Sequence, residues 1–216
     1  MSGESTVHDY LRDPQAIYAR SFRLVREATD LTGIAPQLQP LVIRIVHACA
    51  IPEVVQHLQW SEGVETAAWS ALGEGATVLA DCEMVVNGII RRRLPAENSV
   101  ICTLNDAQVP ALAKQLQNTR SAAALELWRE HLANAVVVFG NAPTALFRLL
   151  EIMRETAVRP RAILGFPVGF VGAAESKRAL VNFAIEAEVP FITLHGRLGG
   201  SAIAAAAVNG LASCHE

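Results

Sequence analysis

Five short apolar runs constrain this chain more than any other feature: Ala76–Ala80, Ser99–Leu104, Ala135–Phe139, Ala162–Phe166 and Phe191–Leu194. Each is nearly continuous rather than alternating, the pattern of strands covered on both faces. Helical patterns separate them, over Gln108–Gln117 with Ser121–Leu132, then Pro143–Glu155, Glu175–Ala187 and Ser201–Ala212. Strand followed by helix, repeated in this way, requires right-handed crossovers and predicts a parallel sheet built from those five runs. Before residue 76 the pattern is helical only: from Asp13-Pro14 to about Glu27, from Pro40 to about Cys49, and around Glu62–Leu72. The expected architecture is a single α/β domain over residues 1–216. A mainly helical extension, 1–75, packs on the βα repeats of 76–212.

Composition narrows the function. Of 216 residues 51% are hydrophobic and 18% charged, which argues against disorder and supplies a sizeable core. The net charge of −3 and the scattered Lys and Arg give no reason to expect nucleic acid. The one basic run, Arg91-Arg92-Arg93, reads as a solvated loop. No apolar segment reaches transmembrane length uninterrupted, so no membrane partner is expected, and Met1–Asp13 lacks the apolar centre of a secretory signal. Cys49, Cys82, Cys102 and Cys214 have no C-x-x-C spacing and read as reduced thiols of a cytoplasmic protein.

The stretch Gly165-Phe-Pro-Val-Gly-Phe-Val-Gly-Ala-Ala-Glu-Ser-Lys177 falls where an expected strand ends and a helix begins. Open α/β sheets bind ligands at such places, because unpaired backbone N–H groups are exposed there. Gly165, Gly169 and Gly172 either receive a ligand closely or merely permit tight turns. Their spacing fits neither the dinucleotide fingerprint nor the phosphate-binding loop, and there is no G-x-S-x-G elbow. The histidines, His8, His47, His57, His131, His195 and His215, form no zinc pattern with the cysteines, so no metal site is expected.

His47 stands out within Leu41–Cys49, where Arg44 is the only other polar residue and lies one helical turn away. A cationic neighbour and partial burial both work against imidazolium, while a helix C-terminus works for it. Such a residue is either a proton-exchanging group or a hydrogen-bonded core histidine. Two further groups precede helices: Asn118-Thr119-Arg120-Ser121, with a plain cap at Thr119 or Ser121 as the simpler reading, and His195–Ser201 with Arg197. Arg44, Arg120 and Arg197, at helix ends without a phosphate loop, suit an organic polyanion.

In order along the chain, these segments resemble the precorrin-8X methylmutase family of corrin biosynthesis. The resemblance runs through Tyr10-Leu-Arg-Asp-Pro14, Ile17-Tyr18, Ser21-Phe22, Arg44-Ile-Val-His-Ala-Cys49, Asp81, Met84-Val85 and Gly88-Ile89. It continues in Asn118-Thr-Arg-Ser121, Gly140-Asn-Ala-Pro-Thr-Ala-Leu146, Gly165–Lys177 and Gly196-Arg-Leu-Gly-Gly-Ser201. It implies a flavodoxin-like three-layer αβα fold, a homodimer, and an intramolecular methyl shift from C-11 to C-12 of the corrinoid. The product implied is hydrogenobyrinate or its cobalt-containing counterpart.

A formal 1,5-sigmatropic shift asks the protein for no nucleophile, metal or redox cofactor. By the resemblance His47 is the proton-handling residue, and Arg44, Arg120, Arg197, Ser21 and Thr119 bind the carboxylate rim. Loops containing Gly165 and Gly169 would meet the flat ring face. One departure is visible: the family commonly has glycine after His-Ala-Cys, where this chain has Ala50, a strained choice if that position needs positive φ. Two rival readings are a flavin- or nucleotide-binding domain on the same strand ends and a non-catalytic corrinoid carrier.

Overall fold

The computed structural model describes residues 8–212; positions 1–7, Cys214 and His215 lie outside the described residues. Six strands form one sheet: β1 (Leu58–Trp60), β2 (Thr77–Ala80), β3 (Val100–Ile101), β4 (Ala135–Phe139), β5 (Ala162–Gly165) and β6 (Phe191–Leu194). Their spatial order is β1-β6-β5-β4-β2-β3. The last five strands are the five apolar runs, paired in parallel throughout.

The expected all-parallel, five-stranded sheet needs correction, because β1 joins it antiparallel to β6 from inside the region read as helical. Leu58-Gln59-Trp60 is too short to display a periodicity, and its pairing is decided by tertiary context. Backbone bonds continue the ladder on both sides, from His195 N–H to the His57 carbonyl (2.7 Å) and from Ser61 N–H to the Phe191 carbonyl (2.9 Å). The strand covers an edge of β6 that would otherwise be open to foreign pairing.

The helices are α1 (Pro14–Ala28), α2 (Gln39–Cys49), α3 (Val64–Gly73), α4 (Glu83–Gly88), α5 (Val109–Gln115), α6 (Arg120–Ala123), α7 (Pro143–Thr156), α8 (Ala173–Glu186) and α9 (Ser201–Leu211). Alternate residues of β4 divide them into layers. Val136 and Val138 pack with α2, α3, α4 and α9, whereas Ala135, Val137 and Phe139 pack with α7 and α8. Helix α2 crosses α9 closely: a Cβ at Gly210 would lie 2.6 Å from the Leu41 Cα, so only glycine admits this approach. Helix α1 lies outside this layer on α2, capped by the Asp13 carboxylate accepting the Gln15 N–H at 2.9 Å. Among the described residues no helix is long and apolar enough to cross a membrane.

The helix expected over Ser121–Leu132 is also corrected. Only Arg120–Ala123 is α-helical, and tighter 3₁₀ turns follow at Ala124–Trp128 and Leu132–Asn134. Thr103 Oγ1 binds both ends of the first turn, donating to the Ala124 carbonyl (2.9 Å) and accepting the Trp128 indole N–H (2.9 Å). Glu126 is gripped by Arg129 and Arg148, both at 2.7 Å. Tertiary bonds thus override a local helical preference.

Candidate active site

The order of the parallel strands reverses between β2 and β4, where open α/β sheets leave a crevice at their carboxyl ends. Asp81, one residue beyond β2, fills it. Its buried carboxylate accepts the N–H groups of Gly140, Asn141 and Ala142 at 2.8, 2.9 and 2.7 Å. Burial pushes the Asp81 pKa up, and the three N–H groups pull against that rise. The donors that a nucleotide or flavin phosphate would need here are already taken, which counts against that rival. Cys82 and Cys102 are no better placed as nucleophiles. Burial pushes both thiols up, Cys102 to about 11, and Asp81 beside Cys82 adds to the effect there.

Helix α2 carries His47 in its last turn. Its buried face, Leu41, Val42, Ile43, Ile45 and Val46, fixes the helix, while His47 is on the exposed side. The core-histidine alternative is therefore removed, and so is the partial burial expected from the apolar segment. Helix α1 supplies the partners of the ring through one face, Tyr18, Ser21 and Phe22, at i, i+3 and i+4. Ser21 Oγ lies 3.1 Å from His47 Nδ1, and the imidazole stacks on Phe22 with centroids 4.6 Å apart and a 19° interplanar angle. One nitrogen is thereby held by the protein and Nε2 is left for other chemistry.

Alanine 50 closes α2 in the left-handed region (φ 56°, ψ 30°), with its N–H donating to the Val46 carbonyl at 2.8 Å. The position does need positive φ, so this chain carries there the strain that glycine would avoid.

His47 stands between two cavities. The larger, about 560 Å³, is shared with Arg44, and the smaller, about 260 Å³, with Ser21 and Ala50. Arg44 donates to the Tyr18 hydroxyl at 2.9 Å, and its guanidinium lies 5.3 Å from the Phe22 ring centre. The structure thus brings His47, Arg44 and Ser21 together. Neither cavity includes Thr119, Arg120, Gly165, Gly169 or Arg197.

Thr119 caps α6 by accepting the Ala122 N–H (3.1 Å) and meets Thr144 at the start of α7 (2.8 Å). Arg120 is exposed and donates to the Leu104 carbonyl at 3.2 Å. Arg197 lies over the Phe170 ring at 4.8 Å, and its carbonyl accepts the Gly169 N–H at 3.3 Å. Lys177, buried beneath this loop and lowered to about 8 by that burial, donates to the Leu198 carbonyl. Gly165 is buried, and a Cβ there would lie 2.5 Å from Leu180 Cδ2. Its missing side chain makes room for Leu180, a packing reason that the sequence could not distinguish from ligand approach.

Three residues in the larger cavity escaped the sequence reading: Tyr18 as a polar group, and Arg92 and Arg93. Burial pushes the Tyr18 hydroxyl up, but hydrogen bonds and charge from Arg93 and Arg44 outweigh it and lower its pKa. The only signal was the basic run itself, and nothing local tied that run to α2.

The precorrin-8X methylmutase family model matches residues 16–214. The chain is 56% identical over 208 residues to precorrin-8X methylmutase of Pseudomonas aeruginosa, covering 96% of this chain and 99% of that protein. It is 37% identical to cobalt-precorrin-8 methylmutase of Methanothermobacter thermautotrophicus, covering 98% of this chain and 96% of that one. The structure of precorrin-8X methyl mutase from Thermus thermophilus matches with a TM-score of 0.82 at 38% identity, covering 92% and 94% of the two chains. Fold, ordered motifs and relatives agree: the chain belongs to the precorrin-8X methylmutase family.

Proposed function

We propose that the chain is an isomerase that moves a methyl group from C-11 to C-12 of precorrin-8X, giving hydrogenobyrinate, with His47 as its proton-handling residue. The observation carrying this reading is the imidazole of His47, fixed by Ser21 and Phe22 and opening onto a cavity shared with Arg44. Substrate and product are isomers, so any proton lent to the macrocycle is recovered within the cycle. Protonating or hydrogen-bonding a ring nitrogen or carbon biases the π-system toward the migrated product, by acid–base and electrostatic effects together. The relative at 56% identity bears the metal-free substrate's name and that at 37% the cobalt form's, which favours the metal-free macrocycle here.

Arg44 binds a substrate carboxylate beside His47. Arg120 with Thr119, and Arg197 with Gly169, take others at the neighbouring strand ends. Gly165 acts at a distance, by letting Leu180 shape the end of β5. Val168, Phe170 and Val171 are exposed, the last two by 85% and 89%, and offer an apolar surface to the ring face. We read the chain as one domain and its working form as a homodimer, in which apolar residues left bare on α1, Ile17 and Leu24, are covered. The parallel strands taken alone, β3-β2-β4-β5-β6, follow the 2-1-3-4-5 order of flavodoxin-like sheets, which supports that fold reading.

The test is incubation with precorrin-8X and its cobalt form, followed by absorption and mass spectra. The expected result is an absorption change at constant mass through many turnovers, faster with the metal-free form. A spectrum that shifts once in proportion to enzyme and then stops would mark a carrier instead, and no change with either form would overturn the reading.

A further inference from the structure

Strand β1 shields the edge of β6 but leaves an edge of its own, since no strand lies beyond it. Its backbone bonds alternate. His57, Gln59 and Ser61 face the β6 ladder, so the Leu58 carbonyl and both backbone groups of Trp60 turn outward. Among the described residues no turn or loop bonds these three groups. Sheet edges are blunted by lysine, proline, a bulge or shortness. Leu58-Gln59-Trp60 has neither residue, and its register with β6 is unbroken. Only its shortness protects it.

Two cavities flank this edge, one on each face of the sheet. The first, about 390 Å³, is lined by Leu58 with Ile34 and Val55, of the layer that holds α2 and α9. The second, about 300 Å³, is lined by Gln59 with Ala184 and Val189, of the layer that holds α8. Asp30 and Glu53 line the first, Glu62 and Glu188 the second, and neither lining includes a Lys, Arg or His. Among the described residues none of these four carboxylates is in an ion pair. Gln59 carries a sharper mark: its Oε1 is buried with no hydrogen-bond partner. A buried acceptor that has lost water and gained no donor is costly, and in native proteins such a group calls for an explanation. Neither cavity includes His47 or Arg44.

We propose that the free edge of β1 accepts a basic, extended segment of another protein by strand addition. Successive side chains of an added strand point to opposite faces, so two consecutive basic residues enter the two cavities, one each. The outward groups of Leu58 and Trp60 supply the ladder bonds, and the four carboxylates supply the counter-charge. An arginine in the second cavity donates to Gln59 Oε1. Three ladder groups are few, so the complex is weak and salt-sensitive. A second copy of this chain is a poor occupant, because two such edges side by side oppose carboxylate to carboxylate.

The experiment titrates the full chain into a fluorescently labelled peptide, Thr-Val-Arg-Arg-Val-Thr, read by anisotropy, with sedimentation of the same mixtures. Saturable binding that weakens with salt is expected, and none to the counterpart Thr-Val-Glu-Glu-Val-Thr. Glu53→Gln and Glu188→Gln, exposed changes in separate cavities with little folding risk, should each weaken it roughly two- to fivefold. Gln59→Met removes the buried acceptor, and N-methylation of the two arginine amides removes the peptide's ladder donors. Each should weaken binding roughly two- to tenfold. No binding of the arginine peptide at about 1 mM overturns the proposal. Binding indifferent to both Gln59→Met and N-methylation also overturns it, by marking unspecific attraction to an acidic surface. A peptide that splits the chain into smaller species would show a second copy seated on the edge, and overturns it likewise.

Discussion

Helix α2 holds His47 on a segment whose opposite face, Leu41, Val42, Ile43, Ile45 and Val46, is buried, whereas α1, which supplies Ser21, Tyr18 and Phe22 to the same site, has no buried residue. Each fully buried aliphatic side chain contributes about 1.5–3 kcal/mol, so the five on α2 anchor it in the core. Helix α1 rests on half-buried Phe22 and Val25, the stacking of Phe22 on His47, and the bonds that join Ser21 to His47 and Tyr18 to Arg44. The residue proposed to handle the proton belongs to the rigid framework, and the residues that orient it come from a lightly attached element. Precision at the imidazole thus depends on the weaker of the two helices, and α1 is the natural place for local opening.

The largest effect expected is from His47→Ala. Turnover should fall by about a hundred- to ten-thousandfold, with pigment affinity kept within a few-fold, as read by absorbance kinetics and titration. A fall of less than about tenfold would remove the proton role. Next, Ile45→Ala should destabilise the fold by about 2–5 kcal/mol in denaturant melts. Phe22→Ala should cost clearly less stability than Ile45→Ala and yet reduce turnover and speed hydrogen exchange in α1. Equal losses of stability from the two would dissolve the contrast between the helices. The smallest effect is from Ala50→Gly, which should raise stability by about 1 kcal/mol by relieving the left-handed cap. A lower melting temperature in that variant would mean that Ala50 is not strained.

Much of this was legible in the sequence because the signals are local. Ala135–Phe139 and Phe191–Leu194 are apolar on both strand faces, and their ends agree with the structure residue for residue. Asp13 and Thr119 cap helices as their residue types suggest. What the sequence hid is decided at long range. Strand β1 exists only because β6 receives it, and Trp128 leaves the helical path because Thr103 binds its indole. Within the site, His47 with Arg44 was readable as a helical pair. Arg92 and Arg93 looked like a solvated run, since only the fold carries their turn against α2 and α9. Gly165 was ambiguous for a different reason: a missing side chain looks the same whether a ligand or Leu180 occupies the space.

The clasp between Asp81 and residues 140–142 has a consequence for how the enzyme meets its substrate. Because the chain provides its own acceptor for these three N–H groups, the turn leading into α7 holds its final shape before any pigment arrives. That turn therefore needs no ordering on binding, and its entropy is already lost when the protein folds. A scaffold whose strand-end crevice is plugged from within leaves the surfaces on either side as the ones open to a wide, flat guest.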